Sequence, residues 1–228
     1  MNFNEKELLI AVKKSISNGE DLISDADLLV NNNRLARAHA LYQLAIEEAG
    51  KAMDVYGSLL LGTFKDSEGQ KMLTGNFKSH IKKAGRARSI TIFWALQLFK
   101  NNNKSKGEEI LKSVLQEMGA AKEINDYKNY SLYTSFIDDT YKTPREIITE
   151  KMVSVLRNLA KDRVALVKQF FTIPSKQYEE MKKYAAENPI TNEDNDEEAM
   201  KYLKENVSRD FFEKILSMAK RRIQNEQA

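Results

Sequence analysis

Arg34-Leu35-Ala36-Arg37-Ala38-His39-Ala40-Leu41-Tyr42-Gln43-Leu44-Ala45-Ile46-Glu47-Glu48-Ala49-Gly50-Lys51-Ala52 is the stretch that decides the fold. Leu41, Leu44, Ala45 and Ala52, continued by Val55 and Leu59, return at helical spacing and make one apolar stripe. The pattern predicts a helix over about residues 34–61. Ala36, Ala38, Ala40, Ala45, Ala49 and Gly50 are small, so neighbouring helices can approach this one closely.

Before it, Leu8, Leu9, Val12, Ile16, Leu22, Ile23, Ala26 and Leu29 keep helical spacing from Asn4 to about Val30, with Gly19 as a point of kinking or division. Asn31-Asn32-Asn33 reads as a turn, with Asn33 as the N-cap of the next helix. After it, residues 62–76 read as a loop with one short helical turn. A third long helix follows over about 77–100, burying Phe77, Ile81, Ala84, Thr91, Ala95 and Phe99. Asn101-Asn102-Asn103 breaks the pattern, and a fourth helix is expected over about 105–128. Residues 129–143, with Tyr130, Leu132, Tyr133, Phe136 and Ile137, read as an ordered loop packed by its own aromatics. Thr143-Pro144-Arg145-Glu146 has a threonine cap, proline at the first helical position and glutamate three after the cap. It predicts a helix running to about Phe171, where Ile173-Pro174 stops it. Two last helices, about 175–187 and 196–224, are separated by Asn188-Pro189. Strand signals are nearly missing, so the fold class is all-α.

The 228 residues are 42% apolar and 30% charged, an ordinary globular balance. With no cysteine, the chain has no disulfide, thiolate metal site or cysteine nucleophile. That absence fits a reducing compartment. The start, Met1-Asn2-Phe3-Asn4-Glu5-Lys6, lacks the layout of a signal peptide, and no apolar run approaches the roughly 20 residues of a membrane span. A cytoplasmic location is expected. Net charge is only +3, but between Glu68 and Glu108 there is no acidic residue, while Lys71, Lys78, Lys82, Lys83, Arg86, Arg88, Lys100, Lys104 and Lys106 are all basic. Such a local field can attract phosphates; equally, it can be a solvated face that pairs with an acidic neighbour.

Only two histidines exist, His39 and His80, which narrows acid–base chemistry at neutral pH. Lys51 lies three residues from Glu48 and four from Glu47, so either carboxylate can reach it on a helix. A structural ion pair is the ordinary explanation of that spacing. The two adjacent glutamates point about 100° apart, and no paired histidine ligands occur, so no metal and no cofactor are expected. Arg37 is eleven residues before Glu48, hence about 16 Å away along the helix. Either a second subunit or a long ligand connects them, or Arg37 makes a separate structural contact.

Three segments carry a resemblance. Residues 37–52 resemble a pattern of arginine, small apolar residues and then Leu-Ala-x-Glu-Glu-x-Gly-Lys. Phe77-Lys78-Ser79-His80-Ile81-Lys82-Lys83 resembles a Phe-x-x-His-x-x-Lys element. Lys128-Asn129-Tyr130-Ser131-Leu132-Tyr133-Thr134-Ser135-Phe136, followed by Thr143-Pro144-Arg145-Glu146-Ile147, is similar to a Leu-Tyr-x-x-Phe segment with a proline-led helix. Together they resemble the AbiV family of phage abortive-infection proteins, in the HEPN superfamily of helical bundles. The resemblance implies a HEPN-like helical domain over residues 1–172 with a C-terminal helical extension, 173–228, packed on it. It also implies a homodimer and an RNA-directed toxin of infected cells, since many HEPN proteins are dimeric ribonucleases. Active members carry arginine, four to six intervening residues and then histidine; here the arginine positions before His80 hold Gly75, Thr74 and Leu73. Arg34 and His39 have the spacing, but residues five apart on a helix are turned about 140° from each other.

Two functions stay open. In the first, a metal-independent ribonuclease uses His80 as acid or base, Lys51 and Lys83 against phosphorane charge, and Glu47 or Glu48 to orient them, while Arg37, Lys78, Lys82, Arg86 and Arg88 hold RNA. In the second, a non-catalytic helical dimer binds a phage or host protein, and the same polar cluster is a structural network.

Overall fold

A computed structural model describes residues 3–78, 83–85, 87–88, 91–92, 95, 98, 103–119, 121–172, 178–179 and 182–183. Its helices are α1 (Glu5–Asn31), α2 (Leu35–Leu61), a 3₁₀ turn (Thr63–Lys65), α3 (Ser67–Lys78), α4 (Lys104–Gly119), α5 (Ala121–Tyr130), α6 (Pro144–Ile147) and α7 (Glu150–Phe171). Residues 83–85, 87, 88, 91, 92, 95 and 98 are also helical. Of the helix expected over 175–187, residues 178–179 and 182–183 are helical; the rest of it and the helix expected over 196–224 lie outside the described residues.

α2 is the central helix, and α1 and α7 pack along it. One core cluster joins Leu8, Val12 and Ile16 of α1 to Ala52, Val55, Tyr56 and Leu59 of α2 and Val164 and Val167 of α7. A second joins Ala26 to Ala38, Tyr42, Ala45 and Ile46, with Val153, Leu156 and Ala160. Leu41 and Leu44, expected in the buried stripe, are only half-buried; Tyr42, Ala45, Ile46 and Ala49 take the interior. The reason is that α2 is covered on several sides, so its small residues are as deep as its large ones. Ala84 and Ala95 are buried as expected, and Ala87 with them.

α1 opens on a capping box in which Asn4 Oδ1 accepts from the Glu7 N–H at 2.9 Å and Glu7 Oε2 from the Asn4 N–H at 3.1 Å. Gly19 does not divide it. That glycine is buried where α1 meets α7, and an added Cβ would lie 3.2 Å from Val164 Cγ2. Asn33 is not the cap of α2: it takes a left-handed φ of 55°, and Arg34 holds the N-cap position without a side-chain bond. α2 ends at Gly62, whose φ of 70° is the left-handed C-cap that glycine adopts without penalty.

Further departures from the sequence reading have local causes. The expected loop at 62–76 contains the twelve-residue α3, started by Asp66, whose Oδ1 accepts from the Gly69 N–H at 2.7 Å. The single helix expected over 105–128 is α4 and α5. The aromatic loop holds a two-stranded antiparallel ribbon, Ser135–Ile137 with Thr140–Lys142, in the register Ser135↔Lys142. Asp138 and Asp139 turn it with φ of 52° and 59°, the two positive values that a tight hairpin turn needs. The capping box at Thr143 forms with Glu146, but α6 stops after one turn. Ile148 is extended and buried, and Thr149 then caps α7 by accepting from the Met152 N–H at 3.3 Å. Among the described residues no helix is long and apolar enough to cross a membrane.

Candidate functional site

The Glu47–Glu48 pair is split by the helix, as its 100° step requires. Glu47 points inward and is 2% exposed. Lys128 of α5 donates to its Oε1 at 2.9 Å, and the Lys83 ammonium stands 3.4 Å from its Oε2. Glu48 points to the outer side, where both its oxygens accept from Lys51 Nζ at 3.2 Å. Lys51 keeps a third of its side-chain surface exposed, against 12% for Lys83 and 9% for Lys128. Within this cluster Lys51 is therefore the ammonium that solvent reaches most readily.

Gly50 explains how Lys83 comes so close. A Cβ there would overlap the Lys83 carbonyl and lie 3.1 Å from the Ala87 nitrogen. Only a glycine lets the backbone at Lys83 and Ala87 rest directly on α2, with the Lys83 ammonium in reach of Glu47.

His39 is already committed. It is buried, and its Nδ1 lies 3.3 Å from Ser131 Oγ. That hydroxyl has one proton, directed at the carbonyls of Tyr127 (2.9 Å) and Lys128 (2.7 Å), so the His39 N–H is the donor to Oγ. Burial lowers the imidazole pKa from 6.5 to about 4, which keeps it neutral. A continuous path therefore runs from His39 through Ser131 to the backbone of Lys128, and from the Lys128 ammonium to Glu47. Arg37 belongs to the same scaffold: its Nη1 donates to the Leu132 carbonyl at 3.0 Å. Of the two roles open to it, Arg37 takes the separate structural contact, with no second subunit needed to explain it.

Arg88, expected at an RNA-facing surface, is turned inward. Its Nε lies 3.1 Å from Glu117 Oε1, and the fully buried Arg163 grips the same carboxylate with both Nη1 and Nη2. His80, Lys82 and Arg86, and the side chain of Lys78, lie outside the described residues. Sequence reasoning did not single out Lys128 and Ser131 as site residues. Both stand in the Lys-Asn-Tyr-Ser-Leu-Tyr segment, where a lysine between Tyr127 and Tyr130 is the available signal. Among the described residues no group of histidine, aspartate or glutamate could hold a metal ion.

Cavities flank this scaffold on more than one side. One, of about 500 Å³ between α2 and α3, is lined by Asp54, Asp66 and Glu68 and suits no polyanion. Another, of about 470 Å³ at the start of α2, is lined by Asn33, Arg34 and Arg37 and by Thr143, Arg145 and Ile148.

A protein-family model for HEPN domains of the AbiV type matches residues 7–165, well over half of the chain, which therefore belongs to that family. The match runs from the third residue of α1 through most of α7 and includes Glu47, Lys83 and Lys128. No curated protein and no solved structure matches the chain at significance.

Proposed function

We propose that this AbiV-family HEPN protein, whose family points to abortive infection and hence to defence against phage, acts on RNA, with His80 as its acid–base residue. The observation that supports this reading is the sequestration of the other histidine. His39 is buried, neutral and committed to Ser131, and His80 is the other histidine of the chain. His80 precedes Lys83 by three residues, and Lys83 is fastened to the central helix through Glu47 and Gly50.

RNA cleavage without a metal joins the ribose 2′-oxygen to phosphorus and releases the 5′-oxygen. A base takes the 2′-hydroxyl proton and an acid protonates the leaving oxygen. In this reading His80 exchanges the proton. Lys51, partly exposed and aimed by Glu48, faces the phosphorane charge, while Glu47, Lys83 and Lys128 form the buried anchor that sets the geometry. HEPN domains commonly dimerise, and a homodimer is part of the proposal.

The test incubates purified protein with total cellular RNA, alone and with infected-cell extract, for the wild type and His80→Ala. Loss of a general acid or base lowers the rate by about 10²–10⁴-fold. RNA left intact by the wild type in both conditions, or equal cleavage by His80→Ala, overturns the reading. A second reading, a non-catalytic partner of a phage or host protein, is favoured by the burial of Glu47, Lys83 and Lys128 in ion pairs. It expects intact RNA together with a stable protein complex.

A further inference from the structure

The cavity at the start of α2 combines features that the Glu47 cluster lacks. Three arginines, Arg34, Arg37 and Arg145, line it, and all three residues are exposed. Among the described residues, Arg34 and Arg145 take part in no ion pair. Arg37 is fixed by its bond to the Leu132 carbonyl. The carboxylate nearest in sequence, Glu146, is committed to the N–H (2.7 Å) and hydroxyl (2.6 Å) of Thr143, which hold its pKa below the ordinary value. The lining of the cavity thus holds three arginines and, among the described residues, no carboxylate. Arg34 makes no side-chain cap to α2, so the first-turn N–H groups have no side-chain acceptor. Leu35, Ala36, Pro144 and Ile148 add apolar wall.

The segment that joins the two sides of this cavity is the aromatic ribbon. It leaves Leu132, which Arg37 holds, and returns at Thr143 and Arg145 in the cavity wall. On it Tyr133, Phe136 and Tyr141 are 65%, 62% and 76% exposed, and Phe136 and Tyr141 meet edge to face at 5.1 Å. Charged side chains for phosphate beside open aromatic faces for unpaired bases are how single strands are held without sequence readout. A double helix keeps its bases stacked and would leave these rings unused.

We infer that the Arg34–Arg37–Arg145 cavity and the adjoining 133–141 ribbon form a binding site for single-stranded RNA, with a backbone phosphate in the cavity and bases on the ring faces. The inference rests on the RNA reading above and supplies its strand-binding surface, apart from the His80 chemistry. A free nucleotide offers the same phosphate, but its one base cannot occupy both Tyr133 and the Phe136–Tyr141 pair.

The test measures fluorescence anisotropy of a labelled single-stranded oligouridylate, about 8 nucleotides long, the scale of one single-strand site. The full chain carrying His80→Ala is the parent, so that cleavage does not consume the probe. Arg34→Gln with Arg145→Gln should weaken binding roughly 10-fold or more and flatten the salt dependence by about 0.7 in log–log slope for each phosphate no longer neutralised. Tyr141→Ser should weaken binding with the salt slope unchanged, since stacking releases no counterion. Unaltered thermal unfolding of each variant keeps these effects specific to the site. Binding equal to the parent in the double arginine variant overturns the inference. So does equal binding of the duplexed probe, or displacement of the strand by free uridine monophosphate at matched concentration. If wild type cleaves RNA through His80 while the arginine variant binds normally, this site falls and the cleavage reading stands. Arginine-dependent binding without His80-dependent cleavage gives the reverse.

Discussion

Gly50→Ala and Gly57→Ala make the same chemical change on the same helix and should move stability in opposite directions. A methyl carbon built on Gly50 overlaps the Lys83 carbonyl, within 2.6 Å of its carbon, and lies 3.1 Å from the Ala87 nitrogen. These are backbone atoms, so no side-chain rotation relieves the overlap. Overpacking costs about 1–3 kcal/mol, and an approach this close sits at the upper end. Replacing a helical glycine by alanine returns about 1 kcal/mol. The net cost of Gly50→Ala is about 2 kcal/mol, or roughly 4–8 °C in Tm for a chain of this size. At Gly57 an added Cβ meets nothing within 4 Å. That variant keeps only the propensity gain, up to about 1 kcal/mol or 2–4 °C. Thermal unfolding followed by circular dichroism measures both. Amide exchange around residues 83–88 should quicken in Gly50→Ala alone, because the displaced segment no longer rests on α2. A Gly50→Ala protein as stable as the wild type, with protection at 83–88 intact, would refute the close approach and with it the placement of Lys83 beside Glu47.

Glu47→Ala should be the most damaging change in the cluster. It leaves two buried ammonium groups without their carboxylate, a cost on the order of 3–5 kcal/mol measurable by urea unfolding; Glu48→Ala, with its partner a third exposed, should cost below about 1 kcal/mol. His39 contributes to pH dependence with a defined sign. Its folded pKa of about 4 lies below the ordinary 6.5, so its contribution is whole above 6.5 and fades as pH falls toward 4. His39→Gln should remove that part of the stability profile, and in the wild type the His39 ring signals in NMR should stay unprotonated until near pH 4. Asp27 acts in a lower window. Burial opposes its ionisation, but bonds from Lys161, Tyr42 and Arg157 prevail and hold its pKa at about 2. Stability should therefore drop as pH falls from 3.8 toward 2, and Asp27→Asn should flatten that drop.

The long helices were legible because periodicity is a local property. α1, α2 and α7 each show it, and the capping box at Thr143 lies where short-range chemistry puts it, whereas Asn33 does not cap α2. What sequence could not resolve depends on partners far along the chain. Gly19 looks like a helix breaker until Val164 is found against it. The Thr143 box starts a helix as expected, yet burial of Ile148 ends that helix after one turn. The ribbon is hard to read because its turn uses Asp138-Asp139 rather than glycine or asparagine, at the cost of two left-handed residues, each roughly 1–2 kcal/mol.

The candidate site divides along the same line. The 100° step between Glu47 and Glu48 was predictable from the helix alone, and it forces one inward and one outward. Which of them meets Lys51 was not, since both spacings allow it; the side that α5 covers decides. Because α5 delivers Lys128 to the inner side, Glu47 is used up as a counter-ion, and Lys51 is left to Glu48. Arg37 and His39, two residues apart on α2 and both in the family pattern, resolve in the same way. Each holds one end of the short span from Ser131 to Leu132, which fixes both the Lys128 backbone below it and the ribbon above it. The signature of the central helix is thus largely a clamp on that span. Through that span the clamp reaches Lys128, and through Lys128 it reaches Glu47 and the Lys83 ammonium paired with it.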